Sequence, residues 1–330
     1  MTALMELDGL TVGFETGDTV VPVVRRVDLS VAPGEIVGLV GESGCGKSVT
    51  CMAACGLLDE NARIGGTVRW KGETVAPAND AQMSALRGRD IAMIFQDPMS
   101  ALNPVKRIGK QIVEALKLRG HGQLGAAELC KRAAALLHDV GVPEPERRLN
   151  AYPHQLSGGL SQRVMIAMML AGDPELLIAD EPTTALDVTV QAQIMELLVR
   201  LREERKMSVI LITHDLGVVA KVCDRILVMY CGRVIEAGAV REIFAAPRHP
   251  YTVGLLSSLP RVDQKEGDLA TVPGVVPLPT ELGEGCDFAP RCACRRATCD
   301  TRSPQLQTTA SGTLCACFHP HDPGDEGHAA

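Results

Sequence analysis

Aromatic side chains are scarce, at 3% of 330 residues, so Leu, Val, Ile, Ala and Met must fill the core. No uncharged run reaches the roughly 18 residues that a membrane-spanning helix needs. The start, Met1-Thr2-Ala3-Leu4-Met5-Glu6, lacks the positive n-region and apolar h-region of a secretion signal. The expectation is a cytoplasmic chain that touches a membrane only through partners. Positive charge is not in excess either. A formal net charge of -7 and a pI near 5.7 argue against a sequence-independent nucleic-acid binder, whose basic face would replace phosphate counterions; only a local basic patch stays open. Internal repeats and low-complexity tracts are also lacking. With 46% apolar and 22% charged residues the chain reads as globular rather than disordered or collagen-like. Its length suits two average domains, or one large α/β domain with an appendage.

Periodicity divides the chain. Leu10-Thr11-Val12-Gly13-Phe14 alternates as a strand does, and Glu35-Ile36-Val37-Gly38-Leu39-Val40 is a short β-branched run entering a glycine-rich loop. The apolar segment after Lys47 reads as a helix, in which Cys51 and Cys55 are small buried residues. From about 100 to 171 the pattern turns helical, as in Ile108 to Leu116 and Ala133 to Leu137, and predicts an inserted helical subdomain. Strands return at 175–180, 208–213 and 225–230, separated by a helical stretch from Val190 to Arg205. Such alternation implies a mainly parallel sheet with helices on both faces. Beyond Pro247 the composition shifts to Pro, Gly and Cys, with Pro273, Pro277 and Pro279 too close together for a helix. A catalytic domain over 1–245 and an extension over 246–330 are expected.

The loop Gly41-Glu42-Ser43-Gly44-Cys45-Gly46-Lys47-Ser48 fits G-x-x-x-x-G-K-[ST] in full, between a predicted strand and a predicted helix, the context the motif requires. Its glycines let backbone N–H groups point at phosphates, Lys47 reaches the β/γ oxygens, and the Ser48 hydroxyl can coordinate Mg²⁺. ATP is the expected nucleotide. At Leu176-Leu177-Ile178-Ala179-Asp180-Glu181 an apolar strand delivers two carboxylates to its C-terminal end, where open α/β sheets bind ligands. Asp180 is suited to hold Mg²⁺, and Glu181 to act as general base on the attacking water. The bland alternative is a solvated helix start. Leu156-Ser157-Gly158-Gly159-Leu160-Ser161-Gln162-Arg163 opens another helix, either a second anion-binding terminus or simply a cap. Cys45 sits where the helix dipole and Lys47 can lower a thiol pKa; otherwise it is a small tolerated residue.

In this order the motifs resemble the nucleotide-binding subunits of ABC transporters. Walker A is Gly41 to Ser48, the Q-loop Phe95-Gln96-Asp97-Pro98, the signature Leu156-Ser157-Gly158-Gly159, the end of Walker B Asp180-Glu181, the D-loop Ala185-Leu186-Asp187, and the switch histidine His214 within Thr213-His214-Asp215. The resemblance implies a P-loop NTPase with an N-terminal antiparallel β subdomain, the helical insertion, and head-to-tail dimers. In those dimers Ser157 and Gly159 of one subunit close on ATP held by the other's Walker A loop. It implies nucleotide contacts at Phe14 (stacking on adenine, where core packing is the alternative), Gly41, Ser43, Gly44, Cys45, Gly46, Lys47, Ser48, Val49, Gln96, Ser157, Gly158, Gly159, Asp180 and Asp187. Mg²⁺ would fall to Ser48, Gln96 and Asp180, with Glu181, His214 and Gln96 as the catalytic set. His214 would meet the γ-phosphate and Gln96 would link the nucleotide to a membrane partner. The one departure is Leu160, where many families carry Gln.

The stretches Gln96 to Pro104 and His249-Pro250-Tyr251-Thr252 resemble those of dipeptide and oligopeptide importer ATPases, a branch that also serves nickel, glutathione and some oligosaccharides. Two permease subunits, a substrate-binding protein and a paralogous ATPase are the implied partners. A soluble ABC ATPase acting on DNA or ribosomes is the rival, but such proteins show a long coiled coil or two cassettes, and neither is seen here. Six of the 12 cysteines lie between Cys286 and Cys317, and in a chain that uses cytoplasmic ATP such crowding points to metal rather than disulfides. Thiolate chemistry allows zinc or an iron–sulfur cluster. The stretch Gly285 to Cys292 resembles the importers' C-terminal extension. That resemblance implies a structural [4Fe–4S] cluster on Cys286, Cys292, Cys299 and Cys317, with Cys294 and Cys315 as alternative ligands.

Overall fold

In the computed structural model, residues 2–76, 80–184, 186–259 and 272–321 are described. Alternating patterns give the long strands β1 (Met5–Thr16) and β2 (Thr19–Val31), while β3 (Ile36–Val40), apolar throughout but for Gly38, is buried at every position. The glycine-rich loop and α1 (Lys47–Ala54) come next. They are followed by β4 (Ala62–Trp70), β5 (Glu73–Val75), α2 (Asp80–Leu86) and β6 (Ile91–Ile94). The helical stretch comprises α3 (Pro98–Ala101), α4 (Ile108–Leu116), α5 (Ala126–Asp139), α6 (Pro145–Arg148) and α7 (Gly158–Met169). Beyond it lie β7 (Leu176–Asp180), α8 (Val188–Arg205), β8 (Ser208–Thr213), α9 (Leu216–Val222), β9 (Arg225–Tyr230), β10 (Arg233–Ala239), α10 (Val240–Ala245) and α11 (Pro250–Ser257). The tail adds α12 (Ala297–Thr301) and two short strands, β11 (Gln307–Thr308) and β12 (Leu314–Cys315).

Packing divides the chain into two compact units. The first holds residues 1–4, 31–35 and 79–211. In it α4 buries Ile108, Ile112, Ala115 and Leu116, and α5 buries Leu129, Ala133, Leu136 and Leu137. Both sets follow the i, i+4, i+7, i+8 stripe of an amphipathic helix, and the two helices pack on each other and on α7. Strands β6 and β7 of this unit run parallel, with Ile91 opposite Leu176 and Ile94 opposite Ala179.

The second unit holds residues 5–30, 36–78 and 212–330. One of its sheets has the order β2-β1-β4-β5, in which β1 pairs antiparallel with β4 and β4 with β5. In its other strand set β3 runs parallel to β9, β9 antiparallel to β10, and β12 of the tail extends β10, with Glu236 opposite Cys315. Tail residues also enter this unit's core, where Phe288 and Ala316 join Val40, Val219, Tyr230, Ile243 and Tyr251. Burying a side chain such as Phe contributes about 1.5–3 kcal/mol, so the tail is part of the packing here. Among the described residues no helix is long and apolar enough to cross a membrane.

Candidate nucleotide site

The loop after β3 takes a conformation that requires its glycines. Gly41 has φ of 151° and Gly46 φ of 97°. A Cβ at Gly41 would stand 2.3 Å from the Met229 carbonyl oxygen, and one at Gly46 3.1 Å from that of Val23. Gly46 caps α1, so the unpaired N–H groups of the first turn open toward the loop. Lys47, only 5% exposed, donates through Nζ to the carbonyl oxygens of Gly41 at 2.8 Å and Glu42 at 2.9 Å. The ammonium therefore sits inside the loop, and this cradle fits the phosphates of a nucleotide. Cys45 lies 3.6 Å from Lys47 Nζ but is 1% exposed. Burial pushes its thiol up and outweighs the neighbouring ammonium, so the lowered pKa expected from the helix terminus is not found.

Two residues behind this loop were not among the expected site residues. Tyr251 Oη accepts a hydrogen bond from the Glu42 N–H at 2.9 Å. Arg291 donates to both carboxylate oxygens of Glu42, at 2.7 and 3.0 Å, and these bonds hold its guanidinium above the ordinary value. The motif His249-Pro250-Tyr251-Thr252 supplies the first contact because it begins α11: His249 Nδ1 accepts from Tyr251 N–H at 3.1 Å and Pro250 takes the first helical position. Burial drives His249 down to about 3, so the ring is neutral and able to cap. Glu236, also buried, accepts from the Arg248 and His249 N–H groups. Both residues lie in stretches that resemble importer ATPases, Tyr251 in the histidine–proline motif and Arg291 in Gly285 to Cys292.

The other unit contains the second carboxylate pair. Asp180 ends the buried strand β7 and is 7% exposed. Glu181 follows at φ of 44°, a left-handed conformation that is costly for a residue with a Cβ. Gln96 Nε2 and Thr184 Oγ1 both donate to Glu181 Oε2, each at 2.9 Å, so the Q-loop glutamine and the expected base meet. Ser157 occupies the N-cap of α7, yet its side chain makes no capping bond. A Cβ at Gly159 would come within 2.7 Å of Val190 Cγ1, which accounts for the second signature glycine through close packing on α8. Asp187 caps α8, accepting from Val190 N–H at 2.9 Å; Ala185 of the same loop lies outside the described residues. In the phosphate-loop unit, Ser48 is half-buried in α1, with Val49 beside it, Phe14 is half-buried in β1, and His214 is exposed just after β8.

The cysteine tail requires a correction. Cys286, Cys292, Cys294, Cys299 and Cys317 line one small cavity. Among the described residues, however, no group of three or more His, Cys, Asp or Glu side chains could hold a metal ion. The iron–sulfur and metal-binding expectation is therefore overturned. Burial pushes Cys292 up to about 11 and Cys317 to about 12 and also raises Cys286, so with no metal bound these thiols are neutral. Cys286 and Cys292 instead pack against the core that contains Phe288 and Tyr251.

A glycine-shaped loop between a buried parallel strand and a helix, together with carboxylates ending a second buried strand, defines a P-loop nucleoside triphosphatase. Residues 24–184 match the ABC transporter family, and residues 235–299 match the oligopeptide/dipeptide transporter C-terminal region. The chain is 47% identical over 317 residues to the oligopeptide transport ATP-binding protein OppD of Salmonella typhimurium, a match covering 96% of this chain and 94% of the relative. The OppD of Escherichia coli is 47% identical over 318 residues, with the same shares. Among solved structures, the dimeric ATP-binding cassette MJ0796 in a post-hydrolysis state bound to ADP and Pi is similar. Its TM-score is 0.65 at 30% identity, covering 72% of this chain and 99% of that one. The chain belongs to the ABC transporter family of ATP-binding subunits, in the branch that carries the oligopeptide/dipeptide C-terminal region. The family and fold read from the motif order are thereby borne out, and with them ATP hydrolysis coupled to transport and a permease partner.

Proposed function

We propose that this chain powers an importer of oligopeptides from the cytoplasmic face of an inner membrane. Its partners in that reading are two permease subunits, a substrate-binding protein and a paralogous ATPase. The names of the relatives support peptide as cargo; nickel, glutathione or an oligosaccharide is the alternative within the branch. Residues 1–245 serve as the ATPase domain, with its helical subdomain at about 100–171, and 246–330 as the extension.

The observation that carries the reading is Lys47, buried and held by two loop carbonyls at the head of α1. From there it serves the β/γ oxygens, while the N–H groups of Gly41, Ser43, Gly44, Cys45, Gly46, Ser48 and Val49 surround the phosphates and Phe14 stacks on adenine. Ser48, Gln96 and Asp180 would hold Mg²⁺, which when bound neutralises phosphate charge. Glu181, oriented by Gln96 and Thr184, takes a proton from water as its oxygen attacks the γ-phosphorus, and the bond to the bridging oxygen breaks to give ADP and phosphate. His214 contacts the γ-phosphate. Ser157, Gly158, Gly159 and Asp187 complete the site of an opposing subunit.

Glu181→Gln tests the assignment. MgATP affinity should stay within about threefold, while turnover falls at least ~10²-fold, the usual scale of a lost general base. Turnover near wild type would overturn it. Peptide-stimulated ATPase activity in vesicles holding the permeases, compared with nickel, glutathione and oligosaccharide, decides the cargo.

A further inference from the structure

We infer that Arg291 of the C-terminal region is a positioning residue for the nucleotide, acting through Glu42 to hold the phosphate loop in its binding shape. The inference rests on the ATPase reading above. Glu42 is the hinge of the arrangement. Its carbonyl and that of Gly41 are the two oxygens that hold Lys47 Nζ, its N–H is fixed by Tyr251 Oη, and its carboxylate is gripped bidentately by Arg291. Backbone and side chain of one loop residue are thus both tied to segments more than 200 positions away in sequence.

Arg291 is itself held. Nε donates to the Pro273 carbonyl at 2.7 Å, and the two terminal nitrogens also reach Tyr230 Oη at 3.4 Å and the Val272 carbonyl at 3.3 Å. Its guanidinium lies 5.8 Å from the Tyr230 ring centroid and 5.9 Å from that of Phe288, within cation–π range. The side chain is 3% exposed. A planar fork with donors on both edges is needed to join a carboxylate on one side to carbonyls on the other, and lysine cannot reproduce it. Arg291 touches neither phosphate nor attacking water; it acts by sparing the loop the loss of freedom that binding would otherwise impose.

The experiment uses the full chain, with MgATP titrated by calorimetry and melting followed separately. Arg291→Gln is expected to weaken MgATP binding about tenfold. Glu42→Gln should do the same, and the double variant should be no worse than either single, as for two members of one interaction. Arg291→Lys should recover part of the loss. In the assembled ATPase, KM should rise while kcat at saturating MgATP stays within about twofold, a split that a merely structural ion pair would not produce. Arg291→Gln that is folded and binds MgATP within twofold of wild type overturns the inference. If that variant fails to fold, Glu42→Gln decides on the same criterion, because it leaves Arg291 its carbonyl and tyrosine partners. Failure of the ATPase reading looks different: wild type itself would not bind MgATP, or Lys47→Ala would bind it equally well.

Discussion

The two compact units differ in how enclosed the expected site residues are. Where the phosphate loop lies, Lys47 and both the amide and the carboxylate of Glu42 end on protein partners, backed by Tyr230, Tyr251 and Phe288 with ring centroids 4.8–5.5 Å apart. Where the second carboxylate strand lies, Gln96, Ser157 and Gly158 are exposed, and the Ser157 hydroxyl does not cap its helix. In the first region the groups around the loop are held by protein partners. The second leaves Gln96, Ser157 and Gly158 accessible to a ligand or another subunit, as the proposed head-to-tail dimer requires. Organisation of this kind lowers the ordering cost of binding, whereas display keeps a site incomplete until its partner is present.

The largest expected effect lies in the organised region. Phe288 is 4% exposed and touches both tyrosines and the His249 ring, so Phe288→Ala should destabilise the chain by about 3–5 kcal/mol in chemical denaturation. MgATP affinity should fall with it, since Tyr251 then loses a packing neighbour. A loss below about 1 kcal/mol would mean that the tail merely lies against this unit, and the contrast between the regions would fail.

A smaller effect should appear with pH. His249 is neutral when folded, with its pKa driven down to about 3, whereas an unfolded histidine takes a proton near pH 6.5. The unfolded chain therefore binds more protons between these values. Its contribution to stability is present above pH 6.5 and is lost as pH falls below it, by about 1 kcal/mol between pH 6.5 and 5.5. Glu236, whose carboxylate accepts from the His249 N–H and is raised by burial, shifts in the opposing sense. The comparison is accordingly with His249→Asn, which keeps an acceptor for the Tyr251 N–H and removes the titration. Over this interval wild type should lose stability faster than the variant; equal slopes would show that the ring is protonated in place.

Much of this was legible in sequence for a physical reason. The phosphate loop, the strand before it and the helix after it are local, and so are the stripes of α4 and α5. The motif order also placed Gln96 and Glu181, which meet through a hydrogen bond across 85 positions. What local pattern did not reveal is the backing of the loop, because Arg291 and Glu42 are 249 residues apart and periodicity carries no information about such pairs. Both residues that hold Glu42 lie in recognisable stretches, Arg291 between Pro290 and Cys292 and Tyr251 in the histidine–proline motif. Of the cysteines around them, Cys286 and Cys292 pack against the core that contains Phe288, and among the described residues no metal-holding group is found. Two of the three tyrosines, Tyr230 and Tyr251, gather behind the loop.

The smallest expected effect on stability is at Ser157, and it is the sharpest test of the displayed region. Replacing a serine at a helix N-cap with alanine ordinarily costs about 0.5–2 kcal/mol, because a capping bond is lost. Here no such bond exists and the residue is exposed. Ser157→Ala should then change unfolding stability by less than about 0.5 kcal/mol, as at an ordinary surface position. MgATP binding by the single chain should also be unchanged, because that nucleotide rests on the residue's own Lys47 loop. ATPase activity of the assembled transporter, by contrast, should fall about tenfold or more, since in the proposed dimer the hydroxyl serves the nucleotide of the opposing subunit. Should Ser157→Ala instead weaken MgATP binding in the isolated chain, the serine would serve its own subunit, and the division between an organised half-site and a displayed one would not hold.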